Sequence, residues 1–328
     1  MEDRTWMDRG RACGVVAMEL SALVLGEQAL RHAWPMHSDW HWDITILQWR
    51  QDQRLVADCT LCDAGTQRAR QRVIVKWYGD TMGGTTFALM QFLDALLEAP
   101  KAGLLAAPRP LFYVPAARML VQEAVRGTSY RDLLKRRRYR HYLQQAGRAL
   151  ELLHRLPAVD APRRKRLDDH MNELMRPHPL VLADAVPVLR VRIENLVATM
   201  LRIEASWNDA PAVAWLHRDF HIGQLFYGQR RVWVIDWDLA SFGDPALDVG
   251  NFLHNLDKHL EELAPAGRAA FVEGYLENGD ADVLRRASLY EGFTCLRRAC
   301  KAMRERRPGW QSDVTRLVCA GEACVSRL

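Results

Sequence analysis

The spacing of apolar residues divides the chain into a strand-rich stretch and a helix-rich one. In residues 11–33 apolar positions recur with helical period and stop before Pro35. From residue 43 the period shortens. Asp43–Arg50, Leu55–Cys62 and Arg72–Tyr78 are rich in β-branched and aromatic side chains, with Gln51–Gln53 and Asp63–Thr66 between them, and predict three strands of an antiparallel meander. Thr85–Ala99 returns to helical spacing, with Phe87, Met90, Leu93, Leu96 and Leu97 on one face. A further strand pair is predicted at Leu111–Val114 and Arg118–Val125, before Gly127 breaks the pattern. Beyond it Tyr130–Leu156, Pro179–Trp207 and the chain from Ala246 onward read as helices. The expected fold is α+β: an N-terminal lobe, residues 1–125, made of a helix and an antiparallel sheet with one more helix, and a larger, mainly helical C-terminal lobe, residues 126–328.

The helical half is interrupted once. Trp215 to Tyr227, a turn at Gly228–Arg231, and Val232 to Asp238 read as a β-hairpin, residues 215–238, with polar residues gathered at both ends. His217, Asp219 and His221 follow one another at period two, Gln224 comes next, and Asp236 and Asp238 leave the second strand. Two chemistries fit these residue types. Imidazoles and carboxylates from His217, Asp219, His221 and Asp236 suit a transition metal. Alternatively, amide and carboxylate oxygens take Mg²⁺ while another aspartate orients a hydroxyl for attack on a phosphate.

Composition bears on that choice through lysine. Of 45 basic residues six are lysines, which leaves 45 − 6 = 39 arginines, so a lysine inside the apolar run Val73-Ile-Val-Lys-Trp-Tyr78 is an exception to the chain's habit. Lys76 is either a strand-end side chain reaching for water or the cation that phosphoryl transfer needs against nucleotide phosphates. A metal hydrolase has no evident use for it.

Three linked segments carry a resemblance. His217-Arg-Asp-Phe-His-Ile-Gly-Gln-Leu-Phe226, Val234-Ile-Asp-Trp-Asp238 and Gly243-Asp-Pro-Ala-Leu-Asp-Val-Gly-Asn-Phe252 resemble the aminoglycoside phosphotransferase and choline kinase family, whose pattern is His-Gly-Asp-x-His-x-x-Asn-x-Leu followed by Ile-Asp-Trp/Phe-Glu/Asp and Gly-Asp-Pro-x-x-Asp. The resemblance implies a bilobal protein-kinase-like fold with the site between its lobes, and an ATP-dependent small-molecule kinase using Mg²⁺. Its acceptor would be a hydroxyl of a sugar, an amino alcohol or an antibiotic. By position it makes Asp219 the catalytic aspartate, Asp236 a metal ligand with Asp238 beside it, and Gln224 the occupant of the second metal position. Lys76 would meet the α- and β-phosphates, and the backbone of Glu123 to Val125 would hold adenine. His217 and Asp248 would organise the loop from within, with His221 in either a catalytic or an organising role.

The chain departs from the family pattern in two places that bear on activity. Gln224 stands for asparagine, which moves the amide oxygen by one bond, ~1.5 Å. The helix after Lys76 offers only Gln91 where family members place a glutamate. These departures motivate an alternative, a pseudokinase or nucleotide-sensing module without phosphotransfer; a transition-metal-dependent hydrolase stands as a third reading.

Charge adds a hint about the acceptor. Residues 282–328 hold ten basic side chains against five acidic ones, an excess of 10 − 5 = +5 that equals the net charge of the whole chain. If that segment lines the acceptor pocket, an uncharged or anionic acceptor is expected rather than a polycationic aminoglycoside. The basic runs Lys135–Arg140 and Arg163–Arg166 lack interleaved stacking aromatics and are read as solvated helix faces, so no nucleic-acid partner is expected. No apolar run reaches the ~20 residues of a membrane span. An acidic N-terminus and seven scattered cysteines point to reduced thiols and a cytoplasmic address.

Overall fold

Alternating apolar side chains build the N-terminal sheet as their period requires. The computed structural model describes residues 28–34, 40–50, 53–66, 68–98, 103–158, 165–207 and 213–328. They fall into two units that meet along the chain between Arg126 and Gly127. Of the helix expected over residues 11–33, residues 28–33 are helical (α1) and residues 11–27 lie outside the described residues.

In the first unit five antiparallel strands, β1 (Trp40–Arg50), β2 (Arg54–Asp63), β3 (Ala69–Tyr78), β4 (Pro110–Val114) and β5 (Met119–Glu123), stand in the order β1-β2-β3-β5-β4. One face packs Trp42, Ile44, Ala57, Cys59, Val73, Val75, Trp77 and Val121 with Leu30 of α1 into a buried core. The other face carries Val56, Lys76 and Leu120 on one rung, since Lys76 pairs with Val56 on one side and Leu120 on the other. Helix α2 (Met82–Leu97) covers this second face. Phe87 stacks on Tyr113 at 6.3 Å, and a side chain at Gly83 would stand 2.6 Å from the Tyr78 ring, which is why glycine serves there. Lys76 is thereby 3% exposed, and a strand-end lysine reaching for water does not describe it. On α2 Gln91 points outward, while Asp94 is half-buried.

In the second unit Thr128–Ser129 forms a short strand, β6, that pairs with Tyr227 and Phe226. The helix expected over Tyr130–Leu156 is two, α3 (Tyr130–Leu133) and α4 (Tyr139–His154). Exposed Lys135–Arg138 fills the break as successive turns, because four adjacent cations favour solvent over the continued burial that Leu133 and Leu134 have. Helices α5 (Leu167–Leu174), α6 (Pro179–Ala185) and α7 (Arg190–Ser206) follow, then the strand-containing insert, then α8 (Ala246–Leu260), α9 (Ala264–Leu276), α10 (Ala281–Glu305) and α11 (Trp310–Val325).

Helices α4 and α9 pack backbone against backbone where Gly147 meets Phe271 and Gly274 meets Gln144. A Cβ at Gly147 would lie 2.2 Å from the Phe271 carbonyl oxygen. The Gly147→Ala variant is expected to lose about 1–3 kcal/mol of stability by overpacking, seen as a lower urea midpoint at unchanged m-value.

Between α8 and α10 His254 is held neutral. Arg298 Nη1 donates to its Nε2 at 3.0 Å and Cys295 Sγ lies 3.4 Å from Nδ1; burial first, then the charges of Arg298, Arg268 and Arg316, push its pKa down to about 4. The unfolded chain, with histidine near 6.5, takes up the proton first. Stability should therefore fall as pH drops from about 6.5 to about 4, and a thermal-melt series on His254→Gln should show a flatter profile across that window.

Candidate active site

The insert is not one long hairpin. Strand β7 (Ala214–Leu216) is buried at all three positions and pairs with β10 (Ser241–Gly243), while the hairpin proper is β8 (Leu225–Gly228) with β9 (Arg231–Val234). Residues 217–224 are a loop between these strands, so the hairpin expected over 215–238 is corrected to 225–234. The reason lies in the polar groups at its ends. Backbone N–H and C=O groups of 217–220 bond to side chains of α8 and α10, which leaves them no part in a strand ladder.

Asp248 anchors the loop from beneath. Fully buried in the first turns of α8, it accepts the His217 N–H at 2.6 Å on one oxygen and the Arg218 N–H at 2.7 Å on the other. Behind it His154 Nε2 stands 3.6 Å from Oδ2, and His154 Nδ1 lies 2.9 Å from the Tyr275 hydroxyl. Asn251, one turn on, donates to the Phe220 carbonyl at 2.9 Å. Asp244 starts the same helix: it accepts the Ala246 N–H at 3.0 Å and pairs with Arg286 at 2.9 and 3.2 Å.

Both ring nitrogens of His217 are committed. Nε2 faces the Ile235 carbonyl at 2.9 Å and must carry the hydrogen, and Nδ1 accepts the Asp219 N–H at 3.3 Å. Arg218, at the glycine position of the family pattern, adopts φ 62°, a left-handed conformation that costs a side-chain-bearing residue roughly 1–2 kcal/mol. Its side chain is 4% exposed, pairs with Glu173 at 2.7 Å and reaches the Leu239 carbonyl at 3.3 Å. Burial lowers the Arg218 pKa, and Glu173 opposes that shift.

Asp219 emerges from this framework with its side chain 27% exposed. Arg297 of α10 donates to Oδ1 at 3.3 Å and to the Arg218 carbonyl at 3.1 Å; Gln224 Nε2 approaches Oδ2 at 3.4 Å and His221 Nε2 lies at 3.5 Å. Burial alone would raise the Asp219 pKa. The hydrogen bond from His221 and the Arg297 charge overcome it and hold the carboxyl well below the usual range. His221 is aimed by its own turn, since Nδ1 accepts the Gly223 N–H at 2.9 Å and leaves Nε2 to face Asp219.

Gln224 and Asp236 stand at one end of the hairpin, linked by the Ile235 N–H donating to the Gln224 carbonyl at 3.0 Å. Asp236 takes φ 68°, turning the chain out of β9, and Asp238 follows in a short 3₁₀ turn, Trp237–Leu239. The Gln224 amide nitrogen is directed at Asp219, and its amide oxygen and the Asp236 carboxylate are donors of the hard-oxygen type that Mg²⁺ takes. The transition-metal set of His217, Asp219, His221 and Asp236 does not fit: His217 has no lone pair left for a metal, and no group of three or more His, Cys, Asp or Glu among the described residues could hold one.

In the first unit Glu123 ends β5 with its N–H on the Arg109 carbonyl at 2.9 Å and its carboxylate on Arg109 at 3.0 Å. Ala124, Val125 and Arg126 then leave the ladder. Glu123 is opposite Val73 and Lys76 opposite Leu120, so the strand end and the lysine are three rungs apart, roughly 10 Å along β3.

Sequence reasoning did not single out Arg297, Asn251, Tyr275 or Arg131. Asn251 lies inside a quoted motif. The others approach across the fold from helices that pattern alone cannot aim.

A family model, APH, the phosphotransferase enzyme family, matches residues 64–290. Curated protein sequences give no match. Among solved structures the chain is similar to a choline/ethanolamine kinase family protein from Mesorhizobium loti, at 18% identity and TM-score 0.58, covering 92% of this chain and 97% of that one. It is also similar to a thermostable mutant of aminoglycoside phosphotransferase APH(4)-Ia in ternary complex with AMP-PNP and hygromycin B, at 15% identity and TM-score 0.64, covering 92% and 98%. A third is spectinomycin phosphotransferase APH(9)-Ia in complex with ADP and spectinomycin, at 13% identity and TM-score 0.56, covering 92% and 98%.

Replacing Asp248 with asparagine puts an amide N–H against one of two backbone N–H groups. The Asp248→Asn variant should be destabilised by about 1–3 kcal/mol in denaturant titration; wild-type stability would mean that the loop is anchored elsewhere.

Proposed function

Because the chain belongs to the phosphotransferase enzyme family, we propose that it transfers the γ-phosphate of ATP to a hydroxyl of a small organic acceptor. One observation carries this reading. Asp219 is kept ionised by His221 and Arg297 at the tip of a loop whose backbone is pinned by Asp248.

A carboxylate so held is a weak base, and its task is to accept the hydrogen bond of the acceptor hydroxyl and aim the oxygen. The new bond forms between that oxygen and the γ-phosphorus as the bond from phosphorus to the β–γ bridging oxygen breaks. ADP leaves with the bridging oxygen, and the hydroxyl proton passes to Asp219 as the attack develops. Positioned proton acceptors contribute on the order of 10²–10⁴ in rate. Gln224 and Asp236, with Asp238 alongside, would hold Mg²⁺, which supplies charge neutralisation on the nucleotide phosphates. Lys76 is the proposed cation for the α- and β-phosphates, and the backbone from Glu123 to Val125 the proposed adenine contact. His217 holds the loop through Ile235 and the Asp219 N–H and is assigned a positioning role. The neighbours solved with AMP-PNP or ADP support a nucleotide donor.

A second reading, nucleotide binding without transfer, draws on Gln224 at the asparagine position and on the outward-facing Gln91. Turnover of ATP against a panel of hydroxylated compounds separates the two. The Asp219→Asn variant should lower kcat by at least a hundredfold while KM for ATP moves less than threefold. Wild type as inert as this variant on every compound, with AMP-PNP still raising Tm, would favour the second reading.

A further inference from the structure

A similar protein is solved in ternary complex with AMP-PNP and the antibiotic hygromycin B, whereas here the surroundings of Asp219 carry positive charge. Arg297 and His221 already balance its carboxylate. Beyond them Arg131 of α3 leans over the Gly223 turn: a Cβ at Gly223 would lie 2.8 Å from the His221 ring and 2.9 Å from Arg131 Nη2. Arg131 makes no ion pair among the described residues, because its neighbour Asp132 is taken by Ser129 at 2.6 Å and Lys135 at 3.2 Å. His259, in the last turn of α8, reports the same field. Burial first, then the charges of Arg131, Lys258, His221 and Arg298, lower its pKa.

Two acids of α5 and α8 are held by other cations. Glu173 is bound by Arg218 and Lys165, and Asp257 by Arg268 at 3.2 Å. A cationic acceptor placed at Asp219 would meet uncompensated like charge, whereas an anion would meet Arg131.

We infer that the acceptor is a hydroxylated organic anion, bearing a carboxylate or a phosphate, whose charge pairs with Arg131 beside the Gly223 turn while its hydroxyl meets Asp219. This specifies the substrate class of the phosphotransfer reading and rests on it. Arg131 is thus a specificity residue.

The test uses matched acceptors with the full-length protein: glycerol, glycerate and glycerol 3-phosphate; sorbitol and gluconate; choline and a polycationic aminoglycoside. At least one acid should exceed its neutral partner tenfold in kcat/KM, and the carboxylate and phosphate members tell which anion is preferred. Arg131→Ala should reduce that advantage at least tenfold through acceptor KM, with Arg131→Lys restoring most of it and KM for ATP changing less than twofold. Preference for a neutral or cationic member overturns the inference and leaves phosphotransfer standing. So does an advantage unchanged in Arg131→Ala, or an effect on KM for ATP instead, which would make Arg131 a nucleotide contact. If no member is turned over faster than by Asp219→Asn, phosphotransfer fails by itself and binding decides the charge question. With AMP-PNP present, gluconate or glycerol 3-phosphate should raise Tm further in wild type and not in Arg131→Ala; no such difference overturns the inference.

Discussion

One buried carboxylate holds two consecutive backbone N–H groups, and the arrangement of the loop depends on it. Asp248 has no exposure to water, so its charge is paid for by short bonds from His217 and Arg218 and by His154 behind them. Two successive N–H groups can converge on one carboxylate only where the chain bends sharply. The left-handed Arg218 supplies that bend, and the next residue, Asp219, is turned out toward solvent. Strain in one residue and burial of one charge thus produce a carboxylate whose direction is set before any ligand arrives.

Around that carboxylate the electrostatics are arranged by helices distant in sequence. Arg297 bonds both the Asp219 side chain and the Arg218 carbonyl, and so ties α10 to the loop. This gives the basicity of residues 282–328 a more particular meaning than a count of charges. Arg285, Arg307, Arg316 and Lys301 pair with acids on or near their own helices, and Arg286 pairs with Asp244 at the start of α8. Arg297 is the one that reaches Asp219, and Arg131, which makes no ion pair among the described residues, comes from a four-residue helix outside the segment.

Much of the fold was legible because periodicity maps directly onto burial. The five strands, the helix after Lys76 and the helical second half follow from period and turn residues, and lysine scarcity marked Lys76 correctly as buried. The boundaries that failed did so where polar groups found partners outside their own element. Trp215–Gln224 looked strand-like by alternation, yet its loop bonds to Asp248 and Asn251. The long helix after Gly127 broke at four adjacent cations.

The chain alone determined the chemistry available: which carboxylates, amides and imidazoles recur in a motif, and a family pattern tight enough to name. Local sequence specifies residue types and their spacing, and those suffice for motifs that close within forty residues. Tertiary structure decided how each group is used. It committed both nitrogens of His217 and thereby removed a transition-metal site, and it brought Arg297 to Asp219 from 78 residues away. It also left Arg131 without an ion pair among the described residues. Coulomb interactions depend on distance in space and on burial, and neither is written in the order of residues.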